Sequence, residues 1–187
     1  TGNIVLSGGA PYNGNIGTCI YGCTDTNAIN YDPNTHINSG VCSYPCIQSD
    51  ITVSFENGQM LPWFLDSNST VDWSNNSGGT ASFNTGPSSA FDGLFYMYTE
   101  SSGNGTGYPN KEAIMYVECI DPSQWTQLSL GFAYHMYGAT IGSLSVDVSI
   151  DNGLNWLQEW TISGDQGDQW NQNFIDLSLY TTDISVR

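Results

Sequence analysis

The sequence predicts an all-β fold, an antiparallel β-sandwich preceded by a small disulfide-stapled N-terminal segment. Three observations predict it. From residue 51 onward apolar and polar residues alternate with period two, the pattern of strands that bury one face. These runs are separated by clusters of Gly, Asn and Ser, and no segment repeats at a helical period. Four of the five cysteines fall between positions 19 and 46, where apolar residues are too sparse to build a core.

Residues 1–18 carry five Gly and three Asn without periodic pattern, so 1–22 reads as a linker or the end of a preceding module. Residues 23–46 form a Cys-bounded segment in which Cys19, Cys23, Cys42 and Cys46 stand as two Cys-x3-Cys pairs. Zinc would suit such pairs, but the intervening loop is rich in hard oxygen donors and the composition looks secreted. A Cys23–Cys42 disulfide is therefore favoured, contributing roughly 3 kcal/mol by restricting the unfolded chain.

Residues 47–187 make the sandwich. Its first strand sets Ile51, Val53 and Phe55 against Thr52, Ser54 and Glu56. Further strands are expected over 80–84, 94–99 and 113–119. The clearest alternation runs through Leu128, Leu130, Phe132, Tyr134 and Met136. Leu144, Val146, Val148 and Ile150 alternate with serines and Asp147, and Asp151-Asn152-Gly153 then turns the chain into 156–162, a hairpin with appropriate turn chemistry. Strands over 170–177 and 183–186 complete the count.

At 187 residues the chain can bury about 70% of its unfolded surface, enough for one sizeable core. Two Lys plus Arg against 18 Asp plus Glu leave a net charge of -16, which repels a phosphate backbone and an anionic membrane surface. Nucleic acid is thereby excluded as a partner. A charged fraction of only 11% against 39% hydrophobic residues is too apolar for a disordered acidic tail. No apolar run approaches the roughly 18 residues of a membrane helix, so direct membrane insertion is not expected. The chain opens on Thr1 and reads as a mature chain or an excised fragment, secreted or at the cell surface.

Catalytic candidates are scarce. His36 lies in the Cys loop and His135 on the face opposite the apolar stripe of its strand, and neither belongs to a hydrolase or metalloprotease motif. Cys119 has no basic neighbour to lower its pKa and reads as a disulfide partner rather than a nucleophile. Among the six Trp, five suit core packing. Trp125, beside Asp121-Pro122 in a turn, is the one expected at the surface and the candidate ligand-binding aromatic.

Calcium is better supported, because hard cations take 6–8 oxygen ligands from carboxylates, amides and carbonyls. In the Cys loop Asp25, Asp32 and Asn34 recur with other Asn residues around Pro33, although Asp and Asn also populate turns for local reasons. In the sandwich, Glu56 ends the first strand and runs into Asn57-Gly58, where a carboxylate followed by exposed backbone could clamp an ion between sheet edge and loop.

Phe55-Glu56-Asn57-Gly58, Asp72-Trp73, Thr85-Gly86-Pro87, Asp92-Gly93, Tyr96-Met97-Tyr98-Thr99-Glu100-Ser101-Ser102, Ala133-Tyr134-His135-Met136-Tyr137-Gly138 and Gly164-Asp165-Gln166-Gly167-Asp168-Gln169-Trp170 follow one another in an order that resembles the MAM domain. Upstream, Gly22-Cys23-Thr24-Asp25, Asn30-Tyr31-Asp32-Pro33, Gly40 and Cys42 are similar to a short Cys-bounded repeat of secreted surface proteins of Bacteroidetes bacteria. Asn38-Ser39 stands there in place of the usual acidic pair.

The MAM resemblance implies a jelly-roll sandwich serving in adhesion and extracellular recognition, with no catalytic residues. It also implies a structural calcium held by Glu56 and the backbone oxygens of Asn57 and Gly58, with Asp92 as a further ligand. Animal members carry additional cysteines that this sequence lacks, so their disulfide pattern does not transfer; Cys46 and Cys119 are the natural second pair here, closing a loop worth roughly 4 kcal/mol. The expected partner is an extracellular protein or glycan. Two other readings stand beside this one, a carbohydrate-binding module of a secreted hydrolase and one bead of a repetitive surface filament. In the family the segment resembling 184–187 continues into a further strand. The sequence therefore predicts a sandwich lacking its last strand, with the vacant position open to a strand-donating neighbour chain or to the Gly-rich N-terminal segment.

Overall fold

The computed structural model describes residues 20–38, 42–100 and 110–187. The linker expected over 1–18, Cys19, Ser39-Gly40 and Ser101-Ser102 lie outside them. The chain divides between Pro45 and Cys46 into two compact units.

In the first unit, β1 (Tyr21–Gly22) and β2 (Ile37–Asn38) pair in parallel, with Tyr21 opposite Ile37. Cys23 is bonded to Cys42. Cys23 is 1% exposed and Ala28 7%, while Tyr21, Ile29 and Tyr31 are exposed. So small a buried set cannot offset the entropy of ordering the segment. The disulfide and loop hydrogen bonds such as Ile29 N–H to Ser43 O (2.7 Å) hold it.

The second unit carries β3 (Phe64–Leu65), β4 (Ser74–Ser77), β5 (Phe95–Tyr98), β6 (Met115–Ile120), β7 (Ser129–His135), β8 (Ser143–Ser149), β9 (Leu157–Ser163), β10 (Trp170–Asp176) and β11 (Ile184–Val186). Five of these form a sheet of order β3-β6-β11-β8-β9, and β7–β10 and β4–β5 form two further ladders. Every ladder of this unit is antiparallel.

The core explains the layering. Val146 and Val148 of β8 and Ile184 and Val186 of β11 meet Ile175 of β10 together with Leu128 and Leu177. Phe132 of β7 crosses to Trp160 of β9 with ring centroids 5.2 Å apart. The five-stranded sheet thus packs on the β7–β10 ladder, and the unit is a jelly-roll-class β-sandwich. Each fully buried aliphatic side chain contributes about 1.5–3 kcal/mol, which makes this cluster the main stabilising element.

β11 occupies the centre of the larger sheet. Val186 is opposite Val117 of β6 on one side and Val148 of β8 on the other. Arg187 N–H donates to Asp147 O at 3.0 Å and Asp147 N–H to Arg187 O at 2.9 Å, carrying the ladder one residue further. Residues 184–186 themselves lie between β6 and β8.

Three sequence expectations differ from the structure. Residues 51–55 take no ladder partner among the described residues; the bridge to Ile120 at the end of β6 comes from Ile47 instead, and Phe55 turns left-handed at φ 62°. The strand expected over 80–84 is a turn. The Thr80 hydroxyl donates to Thr85 O (2.9 Å), Asn84 has φ 55°, and Phe83 is 96% exposed. Ile150 falls outside β8, since the Ser149 hydroxyl accepts from Gly153 N–H at 2.8 Å and starts the turn one residue early. Asn152 and Gly153 both take positive φ there, as the turn chemistry requires. Among the described residues no helix is long and apolar enough to cross a membrane.

Candidate functional site

Glu56 sits on a short 3-10 turn, Glu56–Gly58, flanked by left-handed Phe55. Asn57 (φ 54°) and Gly58 (φ 74°) are left-handed as well. The turn is tied down from below, where Asn75 Nδ2 donates to Phe55 O at 2.9 Å. Glu56 is half-buried, and its Oε1 accepts the backbone N–H groups of Leu94 (2.8 Å) and Phe95 (2.9 Å) at the start of β5. Gly93, at φ +66°, lies so close that a Cβ there would collide with the carboxylate. The carboxylate is therefore held in one orientation by two charge-assisted hydrogen bonds.

Asp92, Asn57 and Gly58 are exposed around this group. Among the described residues nothing donates to Glu56 Oε2 or pairs with Asp92. Of the two cations in the chain, Arg187 is committed to Asp147 at 3.0 Å. The turn thus brings together an oriented carboxylate with a spare oxygen, a second carboxylate one residue from its contact, and exposed backbone. These are hard oxygen donors of the type calcium takes.

Trp125 lies elsewhere in the sandwich, just after a turn over Pro122–Gln124. The sequence expectation of an exposed aromatic is only partly met. Trp125 is half-buried against the core cluster and its Nε1–H donates to Asp50 Oδ1 at 2.7 Å. It lines a cavity of about 340 Å³ with Leu128, Tyr180, Ser178 and two threonines, Thr126 and Thr181. Tyr180 also packs on the core cluster, and its hydroxyl donates to Glu159 Oε1. Burial first, and that carboxylate second, push the Tyr180 phenol up to about 12. Sequence reasoning missed Tyr180, because 55 positions separate it from Trp125 and only the β7–β10 pairing brings the two segments together.

In the first unit the loop acids serve local turns. Asp25 Oδ1 accepts from Asn27 N–H (2.9 Å) and its Oδ2 from the Tyr44 hydroxyl (2.6 Å). The Tyr44 hydrogen bond, then that from Asn27, holds the Asp25 carboxyl below its ordinary value. Asp32 Oδ1 likewise accepts from Asn34 N–H at 2.9 Å and Asn34 Nδ2 at 3.0 Å. These are Asx turns.

Cys46 is bonded to Cys119 within the second unit. Asp183 is near these sulfurs, but the bond between them leaves no thiolate to ligate a metal. His135 is 3% exposed in its side chain, with Nε2 3.3 Å from Asp168 Oδ1 and Nδ1 buried without a partner among the described residues. Its ring centroid is 5.5 Å from that of Trp170, so this histidine is a packing group.

Together the fold, the Cys46–Cys119 bond and the fixed Glu56 turn define a disulfide-bonded jelly-roll module. The family model described as MAM domain, meprin/A5/mu matches residues 53–187. The chain belongs to the MAM domain family.

Relatives agree. The chain is 30% identical over 146 residues to MAM domain-containing glycosylphosphatidylinositol anchor protein 2 of Homo sapiens, a match covering 68% of this chain and 15% of that protein. It is 28% identical over 144 residues to MAM domain-containing glycosylphosphatidylinositol anchor protein 1 of Gallus gallus, covering 73% and 15%. Neuropilin-1a of Danio rerio is 31% identical over 119 residues, covering 60% and 12%. The match thus spans only about an eighth to a seventh of the length of these relatives.

Proposed function

We propose that this chain is a noncatalytic, extracellular recognition module of a secreted or cell-surface bacterial protein, with a structural calcium ion at Glu56. The observation that carries the reading is the oriented Glu56 carboxylate within a sandwich matched to the MAM family over 53–187. Glu56, with the backbone of Asn57 and Gly58 and the carboxylate of Asp92, would hold the ion. Bound there, calcium would offset part of the self-repulsion of a chain of net charge -16. Relatives named as glycosylphosphatidylinositol anchor proteins support placement at a cell surface, and two disulfides suit an oxidising compartment. The first unit is then a Cys-bounded repeat of the surface-protein type. The partner is another extracellular macromolecule.

The test uses the disulfide-intact chain in two assays, adhesion of chain-coated beads to cells with calcium or chelator, and turnover of fluorogenic glycoside and peptide panels. Calcium-dependent adhesion without turnover is expected. Turnover that a single substitution abolishes would overturn the noncatalytic reading, and adhesion indifferent to chelator would overturn the role of calcium.

A further inference from the structure

We infer that the cavity beside Trp125 binds a neutral sugar ring of an extracellular glycan. This site is separate from the Glu56 turn, and goes beyond the recognition reading by naming a ligand class.

The cavity closes the end of the β7–β10 ladder. Ser129 pairs with Asp176, and Leu177 N–H donates to Leu128 O at 2.9 Å. The chain then turns back, with Tyr180 N–H donating to Leu177 O at 3.1 Å. This places Tyr180 and Thr181 beside Trp125 and Thr126, over Leu128, which is 8% exposed. At about 340 Å³ the cavity is at the small end of ligand pockets, which run from roughly 300 Å³ upward. A small ring fits that size better than an extended ligand.

Its chemistry selects the ring. The polar atoms of both aromatics are spent, Trp125 Nε1–H on Asp50 and the Tyr180 hydroxyl on Glu159. What they offer the cavity is carbon and π surface, held in place by packing against the core cluster. The Thr126 and Thr181 hydroxyls have no hydrogen-bond partner among the described residues and can donate or accept. Aromatic surface from two side chains and uncommitted hydroxyls match the C–H faces and hydroxyls of a pyranose.

Charge narrows the class further. Asp50, Asp121 and Glu159 flank the cavity's lining residues, and none is paired with Lys or Arg among the described residues. Hydrogen bonds from Ser123 hold the Asp121 carboxyl below its ordinary value, so it stays ionised. Such a rim repels sialylated and uronate-containing glycans. A lysine side chain is the competing occupant, but Asp50 and Glu159 already accept from the aromatic groups, and the uncommitted groups are hydroxyls.

The experiment titrates the full, disulfide-intact chain by 1H-15N NMR with neutral gluco-, manno-, galacto- and N-acetylhexosamine oligosaccharides, sialylated and uronate oligosaccharides, and an oligolysine peptide. A neutral oligosaccharide is expected to shift resonances of Trp125, Thr126, Tyr180 and Thr181, with affinity lost roughly tenfold in Trp125→Ala. Because Trp125 packs on the core, Thr126→Val/Thr181→Val serves as the second variant. It is expected to fold with unchanged melting temperature and to bind several-fold more weakly. No shift at these residues with any neutral oligosaccharide would overturn the proposal. So would preferential binding of oligolysine or acidic glycans, or unaltered affinity in both variants. Its failure would leave bead adhesion and the Glu56 site untouched.

Discussion

Glu56 Oε1 accepts the backbone N–H of Leu94 at 2.8 Å across 38 positions of sequence. This bond and its neighbour from Phe95 orient β5, so the carboxylate has a structural role before any ion is considered. Glu56→Ala removes a charged acceptor from two amides and is expected to cost about 2 kcal/mol in calcium-free urea unfolding. Glu56→Gln keeps an oxygen for the same amides and should cost less than half as much.

Arg187 pairs with Asp147 and lies 4.6 Å over the Trp156 ring. Asp147 is only 17% exposed in its side chain, and its Oδ1 already lacks a partner among the described residues. Arg187→Ala should therefore destabilise by about 1–3 kcal/mol, the penalty for a buried charged group left unsatisfied. Arg187→Ala placed on an Asp147→Ala background should cost clearly less, a coupling that a double-mutant cycle measures.

The Cys46–Cys119 bond spans 73 residues and the Cys23–Cys42 bond 19. Restriction of the unfolded chain scales with loop length, giving about 4 and 3 kcal/mol respectively. Cys46→Ser/Cys119→Ser should lower the melting temperature of the sandwich by roughly 8–16 °C, read by calorimetry. Cys23→Ser/Cys42→Ser is expected to leave the sandwich transition in place and to expose the first unit to proteolysis.

His135 gives a pH dependence of definite sign. Burial holds its pKa below the ordinary 6.5, with Asp168 opposing in part. The native state then binds fewer protons than the unfolded state between the two values, so this stability is fully present above pH 6.5 and is lost as pH falls through the lower, native value. Unfolding at stepwise lower pH should show that loss, and His135→Phe should flatten it. A further loss from Asp25, Asp121, Asp151 and Asp176, whose carboxyls are all held low by hydrogen bonds, belongs to the acid side of 3.8.

Legibility in the sequence followed burial. The strands around Leu130, Val146 and Ile175 were readable because one face of each is in the core, so hydrophobicity carries their period. β4 reads Ser-Asn-Asn-Ser and is invisible to that signal, since its ladder to β5 rests on backbone pairing and on bonds such as Asn76 Nδ2 to the Tyr96 hydroxyl. Residues 51–55 alternate correctly yet have no ladder partner among the described residues, for alternation reports an extended chain and not a ladder partner. Glu56 was legible from its place before Asn57-Gly58. Its contact with the amides of Leu94 and Phe95 was not, because backbone donors carry no side-chain signature. Tyr180 was hidden for the same kind of reason, its site existing only once β7 and β10 are paired.

Glu56 is proposed to hold a calcium ion that stabilises the native sandwich. This proposal is tested most directly by the melting temperature of the disulfide-intact chain in calcium and in chelator, beside Glu56→Gln. With calcium at about 100-fold over Kd, the native state gains about 2.7 kcal/mol, which raises the melting temperature by roughly 5–10 °C. That rise is expected in the unsubstituted chain and none in Glu56→Gln. An unsubstituted chain whose melting temperature is the same in calcium and chelator, or a Glu56→Gln variant that responds equally, would contradict it.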